Sequence, residues 1–233
     1  MVLHAFLLLI GLTGAASALP DQKPQSIADG SATATELKFS YKFENPRFWI
    51  RLIEVDVNSN GIGVMRFTRG ESDEVLDCKV KLLPTTVSRI RSLFDLSRFL
   101  YSDTDYQDEK DFSHLGWTTL VAKQGTRERK VRFNFTKNEQ IKELEEIFRG
   151  IASQEIALFD IENAERYQPL DLPKQLEVLE NDLKNARITE PERLLAALNE
   201  ISGDDTQSLI ARNSARRIVD AIKKGKFKTP MKK

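Results

Sequence analysis

The sequence predicts an α+β protein: a two-layer antiparallel sheet with two helices packed on one face, followed by a small all-α helical module. Between residues 37 and 135, apolar residues mostly alternate with polar ones, which is the period of β-strands. This strand pattern gives way to a helical period twice, and from residue 173 onward only the helical period is present. Strands followed by a helix, twice over, favour two layers.

Four strands are predicted first, as a meander. Leu37, Phe39, Tyr41 and Phe43 alternate with polar neighbours, which indicates a half-buried strand. The second strand, FWIRLIEVDV, is apolar on both faces and is predicted to be central, and GVMRFTRG and EVLDCKVKLL continue the sheet. Cys78, the only cysteine, falls on the apolar face of the fourth strand and is therefore predicted to be a buried structural thiol.

The two helices of this domain have recognisable starting points. Pro84 suits the first turn of a helix, and apolar residues follow it at helical spacing. A second hairpin, WTTLVAK and RKVRFNF around QGTR, comes next. Thr136 and Glu139 have the spacing of a capping box, which predicts the start of the second helix.

Residues 56–63, DVNSNGIG, begin like a calcium loop. Asp56, Asn58 and Asn60 stand in the first, third and fifth places, and Gly61 stands in the sixth. The twelfth place requires a bidentate carboxylate and is occupied by Phe67, and the flanks are strands rather than helices. Because Asn-Gly is the preferred pair of a type I′ hairpin turn, the octet is interpreted as a turn. A weak cation site at Asp56 is the alternative.

The segment with the most candidate catalytic or metal-binding side chains is YSDTDYQDEKDFSHLGW, residues 101–117. Carboxylates beside an imidazole can hold a hard cation or act as a general acid and base. This segment therefore supports the alternative function, a cation-dependent protein or hydrolase, although its spacing matches no known ligand pattern. An exposed acidic loop is the competing interpretation. The candidate metal ligands are Asp103, Asp105, Asp108, Asp111 and His114.

Several features of this region occur together: the hairpin at Asn60 and Gly61, the run IRSLFDLSRFLYSD, the loop with Thr104 and Asp105, and the QGTRERKVRF hairpin before a helix. On these features, residues 37–153 resemble small exported bacterial domains of unknown function. The resemblance covers about half of the chain. It implies export and this fold, and it implies no activity.

The last third of the chain is helical. LPKQLEVLENDLKNA has Pro173 in its first turn, a second capping box is predicted at Thr189 and Glu192, and the helix that follows stops at Gly203. Residues 191–224 are similar to a single HEAT-type helical hairpin, which cannot bury its own apolar face. It must pack on the Pro173 helix, on the sheet domain or on a partner; a plain three-helix cap is the alternative. The predicted inward face of the last helix is Ile210, Ala211, Ala215, Ile218 and Ile222.

Formal charge is balanced overall, with 35 basic and 35 acidic residues, so composition gives no argument for nucleic-acid binding. From residue 212 onward, however, nine basic residues face a single acid, Asp220. Two interpretations of this end are open: a solvated tail that aids solubility, or an arm that docks on an anionic surface. The candidate binding residues are Lys223, Lys224, Lys226 and Lys228.

The amino terminus predicts export. An apolar stretch is followed by Ala16-Ser17-Ala18, the pattern of a signal peptidase site, and no membrane span is predicted after cleavage. An uncleaved anchor is the alternative. The predicted divisions are a signal peptide (1–18), a disordered leader (19–36), the sheet domain (37–153), a linker (154–172), the helical module (173–224) and a basic tail (225–233).

Together these features predict an exported, non-enzymatic binding protein, periplasmic or secreted, whose partner is another protein or an anionic envelope polymer. The chain has no Gly-rich phosphate loop, Cys-x-x-Cys, His-Glu-x-x-His or Gly-x-Ser-x-Gly motif. No cofactor and no nucleic-acid partner are predicted, and no oligomeric state follows from the sequence.

Overall fold

The computed structural model describes residues 36–231. The predicted signal peptide, and the predicted leader up to residue 35, lie outside the described residues. Six strands form one antiparallel sheet in the order β4-β3-β2-β1-β5-β6. The strands are β1 (Leu37–Glu44), β2 (Ile50–Asn58), β3 (Ile62–Arg69), β4 (Leu76–Lys81), β5 (Trp117–Gln124) and β6 (Arg127–Phe133).

The α-helices are α1 (Pro84–Leu96), α2 (Glu139–Tyr167), α3 (Leu172–Lys184), α4 (Leu195–Gly203) and α5 (Leu209–Lys223). Short 3₁₀ turns occur at Phe99–Tyr101, Ser113–Leu115 and Pro191–Leu194. The predicted α+β class, with a helical module after the sheet, is confirmed. Over residues 36–231, no helix combines the length and the apolar character needed to cross a membrane.

The first core lies between the sheet and the helices α1 and α2. The apolar residues of β1 are all buried, as their alternation predicts. Phe39 stacks on Phe94 of α1 with ring centroids 5.0 Å apart, and Tyr41 stacks on Phe148 of α2 at 5.3 Å. Phe39 and Tyr41 lie on the same face of β1, so the helices that they contact, α1 and α2, cover the same face of the sheet.

Cys78 packs against this core from β4, on the apolar face as predicted, although it is half-buried rather than fully buried. Burial raises the pKa of its thiol to about 11, and nearby carboxylates such as Glu155 act in the same direction. The thiol is therefore protonated at neutral pH, which agrees with a structural role.

The second core joins α3, α4 and α5 to the carboxyl-terminal part of α2. Leu176, Leu179 and Leu183 of α3 are buried, and so are four of the five residues predicted to face inward from α5. Ile210 is the exception, with 69% of its surface exposed, because it lies about 100° around the helix from its buried neighbour Ala211. The helical hairpin of residues 191–224, which is predicted to resemble a HEAT repeat, thus packs on α3 and on α2.

The predicted linker, residues 154–172, is wrong in most of its length. Helix α2 continues through it without a break and is 29 residues long. The reason is that α2 serves both cores: Phe148 and Ile151 are buried in the first, and Ile161 and Ala164 are buried in the second. An apolar stripe that changes partners half-way along a helix has no boundary signal in the sequence.

Both predicted capping boxes are also wrong. The N-cap of α2 is Asn138, whose side chain accepts a hydrogen bond from the backbone N–H of Ile141 at 3.0 Å. Thr136 instead accepts from the N–H of Asn138 at 3.2 Å. Thr189 donates its hydroxyl proton to the carbonyl oxygen of Ile147 at 2.8 Å, so it ties the segment before α4 to α2.

A buried polar cluster forms the junction between the two cores. Arg193 hydrogen bonds to Glu155 of α2 and lies 3.6 Å from the carboxylate of Glu190. Glu190 accepts from the backbone N–H of Leu83, just before α1, at 2.7 Å, and its own N–H donates to the side chain of Gln154 at 3.0 Å. Two buried carboxylates therefore share one guanidinium in this cluster.

The DVNSNGIG segment is a hairpin turn, as predicted, but not of type I′. Type I′ requires positive φ at both central residues, and in this loop only Gly61 has it, at +75°. The Gly61 N–H donates to the carbonyl of Asn58 at 2.9 Å, so a type I turn is followed by a left-handed glycine. The Asp56 carboxylate accepts from Ser40 at 2.6 Å and from Arg66 at 3.3 Å on the open face of the sheet.

We expect Gly61→Val to lower the free energy of unfolding by about 1–3 kcal/mol, because it forces positive φ on a β-branched residue and crowds the core. A Cβ at this position would lie 2.6 Å from Cγ2 of Val87. Asp56→Ala should change stability by only about 0.5 kcal/mol, since its ion pair is exposed. Urea unfolding of both variants measures the difference. A calcium-induced rise in Tm that Asp56→Ala abolishes would contradict the turn interpretation.

Candidate functional site: the basic surface after α5

Three carboxylates of the acidic loop accept hydrogen bonds from the backbone of the loop itself. Asp108 also forms an ion pair with Lys137 at 2.7 Å, and this hydrogen bond lowers the pKa of Asp108 below its ordinary value. Three of the aspartates accept a backbone N–H two residues further on, which is the Asx-turn arrangement. The pairs are Asp105 with Gln107 at 3.0 Å, Asp108 with Lys110 at 3.0 Å and Asp111 with Ser113 at 2.8 Å.

Asn134, at the end of β6, holds the loop in place. Its side chain accepts from the N–H of Phe112 at 3.1 Å and donates to Asp111 at 2.6 Å. Its backbone N–H donates to the side chain of Gln107 at 2.8 Å. Asn134 is 7% exposed, so these bonds are shielded from water. A lone asparagine after a strand gives no signal of this role in the sequence.

The predicted metal ligands do not converge. No group of three or more His, Cys, Asp or Glu side chains that could hold a metal ion is found in the described part of the chain. Successive Asx turns bend the backbone at separate points, so neighbours in sequence are not brought around one centre. The five predicted ligands that do not converge are Asp103, Asp105, Asp108, Asp111 and His114.

The sequence predicts a basic tail after α5, but the structure shows a turn at that point. After α5 the chain turns back through a Schellman motif: Gly225 has φ of +60°, its N–H donates to Ile222 at 2.9 Å, and the N–H of Lys226 donates to Ala221 at 3.0 Å. This motif satisfies the last carbonyls of the helix. It also redirects the following residues toward the body of the protein.

The segment 225–231 therefore packs instead of extending into solvent. Phe227 is partly buried against the second core, and Met231 is partly buried against the first. Pro230 lies against α2, where a Cβ added to Gly150 would come within 3.1 Å of its ring. The prediction of a solvated tail is wrong for these residues, because one aromatic and one thioether side chain anchor them at two points.

The four predicted binding lysines, at positions 223, 224, 226 and 228, are all exposed: the first two at the end of α5 and the last two on the anchored segment. We call them the basic surface. None of them forms an ion pair with any carboxylate of residues 36–231. Two arginines earlier in α5 are different: Arg212 pairs with Asp205 and Arg217 pairs with Glu180, both at 2.7 Å. The positive charge of these two arginines is therefore neutralised, whereas that of the four lysines at the end of the helix is not.

A cation at the carboxyl terminus of a helix also complements the helix dipole, for about 0.3–1 kcal/mol at low salt. This effect accounts for Lys223 and Lys224, which are in or next to the last turn of α5. It does not account for Lys226 and Lys228, which follow the Schellman turn. The arrangement can therefore hold anions along a fixed path at the protein surface.

Comparison with known proteins adds no relative: neither a family model nor a curated protein matches this chain. The resemblance of residues 37–153 to small exported bacterial domains stays a prediction.

Proposed function

We propose that this protein binds an anionic polymer of the cell envelope through the basic surface. The observation that carries the proposal is that the four lysines are exposed and lack carboxylate partners among the described residues, and that Lys226 and Lys228 lie on a segment anchored by Phe227 and Met231. Anchoring matters because a flexible arm loses conformational freedom when it binds, and a segment already held in place loses less. The signal peptide predicted at residues 1–18 supports an envelope location.

A polymer fits this surface better than a compact ligand. The lysine ammonium is a hydrated point charge on a flexible stem, and it suits repeated, loosely positioned anions rather than planar two-point recognition. The lysines follow the last turn of α5 and the reversal at Gly225, so they form a short path rather than the wall of a closed cavity. Binding should therefore be electrostatic and sensitive to salt.

The test replaces the four lysines at 223, 224, 226 and 228 by glutamine and measures binding to long-chain polyphosphate and to poly-L-glutamate. Both polymers carry repeated negative charge, and comparing them separates phosphate from carboxylate recognition. By counterion release, losing four contacts should reduce the slope of log K against log salt by about 3. The Tm should change little, because the substituted side chains are exposed.

A matched control changes four exposed lysines elsewhere, at positions 79, 81, 130 and 174, and keeps the same net charge as the test variant. If the control weakens binding as much as the test variant does, only net charge matters and the proposal fails. Vesicles containing anionic lipid form a separate arm, and binding to them with none to either polymer would identify a membrane surface instead. Binding that does not respond to salt would also contradict the proposal.

A further inference from the structure

A cavity of about 630 Å³ opens at the end of the sheet where β1 begins and β5 ends. Its floor is apolar and consists of Leu37, Phe94 and Ala122, all buried. The ring of Phe94 is fixed between two others, with centroids 5.0 Å from Phe39 and 4.9 Å from Phe99. The volume lies in the range of about 300–1,000 Å³ that is typical of small-molecule sites.

The rim of this cavity carries excess positive charge. Arg91 and Arg98 line it, and Arg127 stacks on the ring of Tyr101, another lining residue, with its guanidinium carbon 4.3 Å from the ring centroid. None of these three arginines forms an ion pair with another residue in the 36–231 range. Two carboxylates also line the cavity, Asp95 and Glu36, and Glu36 lies 3.7 Å from the ammonium of Lys38.

The backbone of Arg98 is left-handed, with φ of +49° and ψ of 36°. This conformation favours glycine, and any other residue is strained in it. The backbone N–H of Arg98 donates to the backbone carbonyl of Asp95 at 2.9 Å, and the Arg98 carbonyl accepts from the backbone N–H of Tyr101 at 2.8 Å. These two bonds hold the backbone in this conformation. An arginine at a position that suits glycine, beside a cavity, is a strained feature of the kind found at binding sites.

We infer that this cavity binds a small amphipathic carboxylic acid, with its apolar body on Leu37, Phe94 and Ala122 and its carboxylate held by Arg91 and Arg98. Guanidinium groups match a carboxylate in shape and charge, and their hydrogen bonds to it are stronger than neutral ones. The site lies on elements other than the basic surface, so it does not depend on the polymer proposal. Asp95 selects against ligands with a second negative charge.

The test measures binding of octanoate and octylamine to the full-length mature protein by isothermal titration calorimetry. Octanoate should bind and octylamine should not, because the two share an apolar chain and differ in the sign of their charge. Arg91→Gln and Arg98→Gly should each weaken octanoate binding by roughly tenfold or more, since each removes a charge-assisted contact. Arg216→Gln, which removes an exposed arginine of α5, is the matched control and should bind as the wild type does.

Arg98→Gly separates a binding role from a structural one. Glycine accepts the left-handed backbone without strain, so this variant should have a higher Tm than the wild type while it binds octanoate more weakly. A lower affinity in a more stable protein cannot result from unfolding. The inference is overturned if octanoate does not bind at millimolar concentration, if octylamine binds equally well, or if both arginine variants keep the wild-type affinity.

Discussion

Replacing Arg193 by alanine should lower the free energy of unfolding by about 3–5 kcal/mol, because it leaves buried charge without its partner. The side chain of Arg193 is 19% exposed, and its two partners, Glu155 and Glu190, are 4% and 1% exposed. Neither carboxylate can be solvated without opening the junction between the two cores. Urea unfolding followed by circular dichroism measures the loss.

The loss of stability caused by Arg193→Ala should depend on pH. Burial raises the pKa of Glu155 above its ordinary value, with Arg193 acting in the opposite direction. A carboxyl whose pKa is raised by folding binds its proton more tightly in the folded state. Its protonation therefore stabilises the folded state at pH values below the ordinary pKa, and this stabilisation is lost as the pH rises through the raised pKa. Removing Arg193 raises this pKa further. The deficit of Arg193→Ala relative to the wild type should therefore shrink as the pH is lowered from neutral.

Arg166→Ala is the control for this experiment. Arg166 pairs with Glu162 along α2 at 2.7 Å, but both side chains are more than half exposed, at 64% and 58%. An exposed pair of this kind contributes about 0.3–0.5 kcal/mol. If Arg193→Ala costs no more than Arg166→Ala at neutral pH, the buried cluster does not hold the two cores together.

Deleting residues 226–233 should lower the free energy of unfolding by about 2–4 kcal/mol, because Phe227 and Met231 lose their contacts with the two cores. The docking-arm interpretation of the sequence instead predicts a nearly unchanged Tm on deletion of this end. Thermal melts of the truncated and full-length proteins distinguish the two expectations. A truncated protein that melts at the wild-type temperature would show that the anchoring contacts contribute nothing.

The lysine-to-glutamine variant of the basic surface is the natural companion of this truncation. It removes the charge and keeps Phe227 and Met231, so its Tm should stay near that of the wild type. Loss of polymer binding in both variants, with loss of stability in the truncation alone, would separate what the lysines do from what the anchors do. Loss of stability in both would show that the lysines support the fold.

The parts of this fold that could be predicted are those in which one face of one element is buried. Phe39 and Tyr41 alternate with polar residues because the open face of the sheet is solvated, so period alone identifies β1. Helix α1 follows the same logic, with Pro84 at its start. These signals are local and do not require knowledge of the partner element.

The parts that could not be predicted depend on contacts between residues distant in sequence. Thr189 has the spacing of a cap, yet its hydroxyl bonds to Ile147, 42 positions away. Phe227 is one aromatic among lysines, and nothing nearby shows that a core is within reach. The acidic loop is misleading for the opposite reason. Its carboxylates are close in sequence, but three of them accept hydrogen bonds within their own turns, so local density does not produce a shared centre.

Helix α2 has a consequence for how the molecule unfolds and how it can be divided. The first half of α2 packs against the sheet and its second half packs among α3, α4 and α5. Both cores therefore contain part of the same continuous helix. A break anywhere along it exposes apolar surface on both sides, so the described chain should melt in a single cooperative transition. Separate expression of either part would leave half of a helix without its cover and favour aggregation. The short connection between α2 and α3 at residues 168–171, where all the side chains are exposed, offers a place to insert another sequence.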